Sequence, residues 1–279
     1  MNEEALGRRD AKSCSCGRGA MDSDVSKVDV AHAKLKKLVT RYDLVAERSQ
    51  RIFPGEHLHI DDLSDRVRVS ATPVRQALER LHGEGLIDCI PKRGFFAKVP
   101  DAAELQELYE FALLVLDRSI LAARDFSGMD RLEPDFGGPV PAVSAEDHQR
   151  NAIFIEAVSE RIVRLSSNGQ MLRMIRNFHD RSHYVRCLSL AHCPDAPPHL
   201  EEIVDLIDLL RTGQIGPARA ALHAKMTHEI RHLPEVIRHG RTRWAEPLGG
   251  DTSNAPRMQQ MSAAAPTQFL PRRRKNDLR

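Results

Sequence analysis

The sequence predicts a mostly α-helical protein in two parts: a small N-terminal unit of helices closed by a two-stranded hairpin, then an all-helical antiparallel bundle. Three observations carry that expectation. Apolar residues recur at helical spacing through most of the middle of the chain. One strand-turn-strand pattern, with the basic tip Pro91-Lys92-Arg93-Gly94, interrupts them. After Pro100 the helical patterns lengthen, broken by a single loop, FSGMDRLEPDFGGPVPAV, whose Gly and Pro residues do not suit helix interiors.

The bulk properties bound the function. With 279 residues the chain holds about two domains. No apolar run approaches the roughly 20 residues that a bilayer span needs, and the polar N-terminus has no secretory pattern, so the expected location is the cytoplasm without membrane attachment. Five cysteines in no CxxC pairing fit a reducing compartment, and Cys14 with Cys16 makes at most half of a zinc site. A net charge of +2 is too small to imply nucleic acid by itself, so that case rests on where the charges sit. Residues 1–27 and 239–279 are expected to be disordered tails, the second with a basic run at Arg272 to Lys275, and Met21 is an alternative start to Met1. The ordered domains are expected at 28–99 and 101–238.

Taken in order, Asp29 to about Arg51 carries an apolar stripe through Leu35, Leu38, Val39, Leu44 and Val45, ended by the Pro54-Gly55 turn. A short helix follows over about Ile60 to Val67. Ser70 is a good N-cap for the next helix, in which Val74, Ala77, Leu78 and Leu81 fall at i, i+3, i+4 and i+7. That stripe leaves Ala71, Thr72, Arg75, Gln76 and Glu79 facing outward. Pro73 is tolerated because first-turn amides have no helical partner to lose, and its fixed backbone angle starts the helix sharply. Leu86 to Ile90 and Phe95 to Val99 read as strands around the basic turn.

Three helices and a basic hairpin make a winged helix-turn-helix, in which the second helix of the pair enters the major groove by its N-terminal residues. Ser70, Ala71, Thr72, Pro73, Arg75 and Gln76 then face double-stranded DNA. Lys92 and Arg93 suit phosphate contact, and Gly94 admits close backbone approach. Pro54-Gly55, Leu63, Val69-Ser70, Thr72-Pro73-Val74-Arg75, Ala77-Leu78, Leu81, Glu84-Gly85-Leu86, Pro91 and Arg93-Gly94 resemble the DNA-binding domain of GntR-family bacterial transcription regulators. The family usually reads Ser-Arg-Thr-Pro where this chain has Ser70-Ala71-Thr72-Pro73. The resemblance implies that the missing arginine contacts a guanine, so operator preference here should be altered.

Five longer helical patterns follow: about Glu104 to Arg124, Ala145 to Leu165, Met171 to Leu190, Leu200 to Arg211 and Pro217 to Ile237. Their apolar stripes require mutual burial, hence a bundle. DAAELQELYEFALLVLD, RLSSN and LEEIVDLIDLLRTGQIGPARAAL resemble the FCD effector domain of the FadR branch. That resemblance implies a divalent metal held by Asp and His residues, at positions that here carry Ile155, Ser159, Ile203 and Lys225. Such a set cannot ligate a hard metal, so no metal and no cofactor are expected. His179 and His183, and His228 and His232, share helical faces at i, i+4 and are the alternative ligands. An effector pocket without metal would draw on Arg161, Arg181, Tyr184, Lys225 and His228, since arginine pairs carboxylates bidentately.

No phosphate loop, GxSxG, HExxH or deaminase pattern is present, so an enzyme is not expected. The function expected is a homodimeric regulator, a repressor on a palindromic operator, relieved by a carboxylate or apolar small molecule. The alternative is a ligand-independent DNA-binding dimer whose bundle serves only dimerisation.

Overall fold

The computed structural model describes residues 18–40, 52–129, 145–192 and 196–245. Cys14, Cys16, Leu44, Val45, Cys193 and the Arg272 to Lys275 run lie outside them. Helices α1 (Arg18–Thr40), α2 (Ile60–Val67) and α3 (Ala71–Gly83) precede strands β1 (Ile87–Ile90) and β2 (Gly94–Ala97). Helices α4 (Ala102–Ala122), α5 (Ala145–Leu165), α6 (Gly169–His192), α7 (Ala196–Arg211) and α8 (Ile215–Ala245) follow, with a 3-10 turn at Ser127–Met129 after α4. The mostly helical architecture with one small hairpin is the expected one. The ordered ends differ from the expected boundaries: α1 begins at Arg18, inside the expected 1–27 tail, and α8 runs through Ala245, past 238. Among the described residues no helix is long and apolar enough to cross a membrane.

Two apolar cores match the two stripe systems. In the first, Leu35 and Val39 of α1 and Leu63 and Val67 of α2 surround Val74, Ala77, Leu78 and Leu81 of α3, with Ile87 and Phe95 closing the base. Burying a Leu or Val side chain stabilises by roughly 1.5–3 kcal/mol, so this stripe decides which face of α3 is left for solvent. The strands pair antiparallel with Ile87 opposite Ala97 and Ile90 opposite Gly94. The preceding segment runs along β2 as a third extended strand: Gly55 N–H donates to Ala97 O, Ala97 N–H to Glu56 O, and Leu58 N–H to Phe95 O.

The second core gathers Leu105, Tyr109, Leu116 and Ile120 of α4, Val158 and Ile162 of α5, Ile175 and Phe178 of α6, Ile207 and Leu210 of α7, and Leu222 and Leu233 of α8. Asp101 caps α4 by accepting the Glu104 amide at 2.9 Å. The two domains meet through polar groups. Lys36 of α1 pairs with both Glu84, at the end of α3, and Asp180 of α6. Asn177 Nδ2 donates to Glu84 O at 2.9 Å, and Arg181 pairs with Glu104 while its guanidinium lies against Gly85. Gly85 has φ +75, which a side chain would strain in addition to meeting Arg181.

Candidate nucleic-acid interface

Helices α2 and α3 are joined by Arg68-Val69-Ser70. Arg68 takes the left-handed conformation at φ 55, its amide donating to Ser64 O, and Val69 N–H donates to the same carbonyl at 3.1 Å. This tight corner holds α3 with its first turn outward. Ser70 occupies the N-cap position, but its hydroxyl makes no capping bond, contrary to the sequence expectation, and it stays exposed. Ala71, Thr72, Arg75 and Gln76 are exposed as expected. Pro73 is a correction: it is buried, so it positions the first turn from beneath and cannot face DNA. Arg75 has no hydrogen-bond or ionic partner among the described residues, which leaves its guanidinium available to a base edge or phosphate.

The wing tip turns at Pro91-Lys92, closed by the Arg93 amide on Ile90 O at 2.9 Å, with Lys92 at φ 64. Lys92 and Arg93 are exposed. The Arg93 guanidinium carbon stands 5.5 Å from the Phe96 ring centroid, a cation–π contact that braces the side chain. Gly94 has φ +96, and a Cβ there would lie 2.9 Å from His57 Nε2. Replacing Gly94 by alanine is therefore expected to cost about 2 kcal/mol of domain stability from the backbone alone, and to displace His57, with weaker duplex binding. Urea denaturation and a gel-shift titration measure the two effects.

Between these elements lies a cleft of about 480 Å³, lined by Ala71, Thr72 and Arg75 of α3, Arg93 and Gly94 of the wing, and His57 and His59. The structure thus unites five of the nine expected DNA-facing residues, while Ser70, Gln76 and Lys92 stand exposed outside the cleft. Sequence reasoning missed the two histidines. The signal was their alternation around Leu58, which is buried while its neighbours share the opposite face.

The five effector candidates of the bundle do not converge. Lys225 is 6% exposed and pairs with Glu229 at 2.7 Å. Arg181 and Tyr184 instead line a cavity at the domain junction with Glu104 and Asp180. Arg161 lies beside Gly128 of the 3-10 turn, and His228 is exposed, stacked on His232 at 4.2 Å. A polar cluster that the sequence reading did not assemble occupies the interior. Glu156 Oε1 accepts from His183 Nδ1 at 2.7 Å and from Arg186 Nη1 at 2.9 Å. Burial pushes the Glu156 carboxyl up, but the His183 hydrogen bond and the Arg186 charge outweigh it and hold it at about 2. His179 is 5% exposed with neither ring nitrogen hydrogen-bonded, and burial, helped by the Arg186 charge, lowers it to about 3. Beside this cluster a cavity of about 20 Å³, room for one water, is lined by Tyr109, Ile155, Arg186, Ser189, Lys225 and Glu229.

A tight two-helix corner, an exposed first turn with an unpaired arginine and a basic wing define a winged helix-turn-helix DNA reader. Residues 48–97 match the family described as bacterial regulatory proteins, gntR family, and 202 residues are 31% identical to the Nta operon transcriptional regulator of Aminobacter aminovorans, over 66% of this chain and 88% of that protein. The chain belongs to the GntR family of bacterial transcription regulators, which bind DNA. It is also 22% identical over 197 residues to the HTH-type transcriptional regulator YdhC of Bacillus subtilis, over 67% of this chain and 86% of that protein. Among solved structures it resembles in fold a GntR transcriptional regulator from Rhodococcus sp. RHA1, with TM-score 0.61 and 18% identity over 75% of this chain and 98% of that one. The fold is similarly shared with E. coli McbR/YncC, with TM-score 0.54 and 18% identity over 75% and 97% of the two chains.

Proposed function

We propose that this chain is a dimeric, sequence-specific repressor of the FadR branch, with residues 28–99 reading DNA and residues 101–238 forming an FCD-like effector domain. The cleft that brings Thr72, Arg75 and Arg93 together carries the DNA reading. Ser70, Ala71, Thr72, Arg75 and Gln76 meet base edges and flanking phosphates, and Lys92, Arg93 and Gly94 meet the backbone. One such head reads few base pairs, so a two-fold dimer on a palindrome supplies the specificity, and occupancy of a promoter excludes the polymerase. Selecting bound duplexes from a random pool tests this: a two-fold symmetric consensus is expected, and recovery of no consensus sinks sequence-specific reading.

Dimerisation is assigned to the outer face of α4, where Phe111, Leu114 and Leu121 are exposed. Antiparallel packing of α4 on its copy, centred at Leu114, sets Glu110 opposite Arg118 of the second copy, so the charges complement. Leu114 is 69% exposed, so Leu114→Glu leaves the monomer intact and is expected to yield monomers in sedimentation velocity, against dimers for the wild type.

The residues at the family's metal positions do not fit a divalent cation. Ile155 and Ile203 are buried aliphatics, Ser159 Oγ is committed to the Ile155 carbonyl, and Lys225 brings a positive charge. The sensor reading rests on Arg186 and Lys225, two cations lining one cavity, which would hold a small carboxylate directly once that cavity opens. The alternative, a ligand-independent dimer, is favoured by the cavity's size, since about 20 Å³ admits a water and no organic molecule without opening. A thermal-shift screen of small carboxylates, amino acids and acyl compounds separates the two. Stabilisation that disappears in Lys225→Met supports the sensor, and no shift across the screen supports the ligand-independent dimer.

A further inference from the structure

His57 and His59 stand at the mouth of the DNA-facing cleft, on the strand that runs along β2 and at the N-cap of α2. His59 makes no side-chain capping bond, so its ring is not committed to α2. It meets His57 edge to face, with ring centroids 4.1 Å apart. His57 is itself held from three sides: Phe96 at 4.8 Å between centroids, the space left by the absent side chain of Gly94, and the Arg93 carbonyl at 2.9 Å from Nε2.

The hydrogen-bond partners determine where the protons are. A carbonyl oxygen only accepts, so His57 Nε2 carries a hydrogen and donates to Arg93 O. His57 Nδ1 stands over the face of the His59 ring, 3.2 Å from Nδ1 and 3.0 Å from Nε2. The N–H bonds of His59 lie in its ring plane and cannot point at that atom, so the contact is made by a hydrogen on His57 Nδ1 directed at the His59 ring. With Nε2 also donating to Arg93 O, the arrangement accommodates one positive charge on His57, and the bond to Arg93 O is then charge-assisted.

We propose that His57 and His59 form a proton-dependent contact to the DNA phosphate backbone, so that DNA binding takes up one proton in this cleft. The charged groups around the pair are Asp61 of α2, Arg75 of α3 and Arg93 of the wing. Glu56, on the same strand, is turned away to accept the Phe53 amide. Arg75 and Arg93 draw the backbone in, and a phosphate seated between them outweighs the single carboxylate of Asp61. The bound state then holds the extra proton more strongly than the free state, and by linkage affinity is higher at pH 6.0 than at pH 8.0. One exposed contact of unit charge at about 4 Å corresponds to roughly a fivefold change in affinity. It also adds about one unit to the slope of log affinity against log salt at the lower pH.

This inference rests on DNA binding by the winged domain but not on any operator, because a phosphate contact acts on duplex of any sequence. The test is fluorescence anisotropy of the full chain with a random-sequence 30-base-pair duplex carrying a rhodamine label, at pH 6.0 and 8.0 across a salt series, with circular dichroism to check folding at each pH. The wild type is expected to bind about fivefold more tightly at pH 6.0 and with the steeper salt slope. His57→Gln, which keeps a donor for the Arg93 carbonyl but cannot carry charge, is expected to lose both differences. His59→Gln provides the same reading should His57→Gln fail to fold. Binding that is independent of pH in the wild type, or pH dependence that survives in both variants, overturns the proposal while leaving DNA binding intact. Absence of binding at both pH values overturns the DNA reading with it.

Discussion

Lowering the pH from 7 to 4 is expected to destabilise the helical domain by on the order of 3 kcal/mol, with His179 as the main cause. The imidazole is buried, unpartnered and held at about 3, so the folded state leaves it neutral where the unfolded chain protonates it. Its folded value lies below the unfolded one, so its contribution is fully present above about pH 6.5 and is lost progressively as pH falls toward 3. Glu156 adds a second loss at lower pH: held at about 2, it stabilises the fold above the ordinary Glu range near 4.3 and loses that contribution as pH falls toward 2. Urea denaturation at pH 7.0 and 4.0 measures the effect. His179→Leu is expected to flatten the pH dependence without loss of stability at pH 7, because it removes a buried polar group with no hydrogen-bond partner. An unchanged slope in that variant would rule out His179 as the source. Glu156→Ala should instead cost about 3–5 kcal/mol at pH 7, since it leaves the Arg186 guanidinium, 4% exposed, without its paired carboxylate and with Ser182 Oγ as a neutral acceptor.

Arg75→Ala is expected to remove specific DNA recognition while leaving the fold untouched. A good bidentate contact to a guanine edge is worth about 1–3 kcal/mol of discrimination, roughly five- to 150-fold for each half-site, and a dimer loses it twice. Because Arg75 pairs with nothing among the described residues, its removal leaves no partner stranded, and the thermal midpoint should stay within about 1 °C. Footprinting on a selected operator, with thermal unfolding alongside, checks both halves; specific protection retained by the variant would show that another element reads the sequence. The converse substitution, Ala71→Arg, restores the arginine that the family usually carries on the same exposed turn. It is expected to change the selected consensus toward guanine at one position per half-site, again without loss of stability.

Legibility differed between the two domains for a physical reason. In the DNA reader the relevant residues lie within three or four positions of one another on a single helix turn, so the stripe of Val74, Ala77, Leu78 and Leu81 suffices to say that Thr72 and Arg75 face outward. Pro73 shows the margin of that reasoning: one helical step separates an interface residue from a buried one. Ser70 shows another, since a residue suited to capping by type leaves its hydroxyl exposed. In the bundle the informative contacts join residues far apart in sequence. Glu156 meets His183 across 27 positions and Arg219 meets Asp117 across 102, and no periodicity within one helix encodes which faces meet. Arg161, Arg181 and Tyr184 therefore looked like residues of one pocket by type, and only their placement separates them: Arg161 lies beside the 3-10 turn, while Arg181 and Tyr184 line the junction cavity with Glu104.

What the sequence by itself determined is the local layer: which segments are helices, where the chain turns, which stripe of each helix is apolar, and that a basic hairpin follows a proline-started helix. Those features depend on steric and solvation terms that act within a few residues. Tertiary structure alone decided that His57 and His59 join Arg75 and Arg93 in one cleft, that Lys225 and Arg186 face one small cavity, and that Lys36, Glu84 and Asp180 tie the reader to the bundle. Burial, pairing and protonation depend on what the rest of the fold packs against a side chain, so they are set only when the helices have closed on one another.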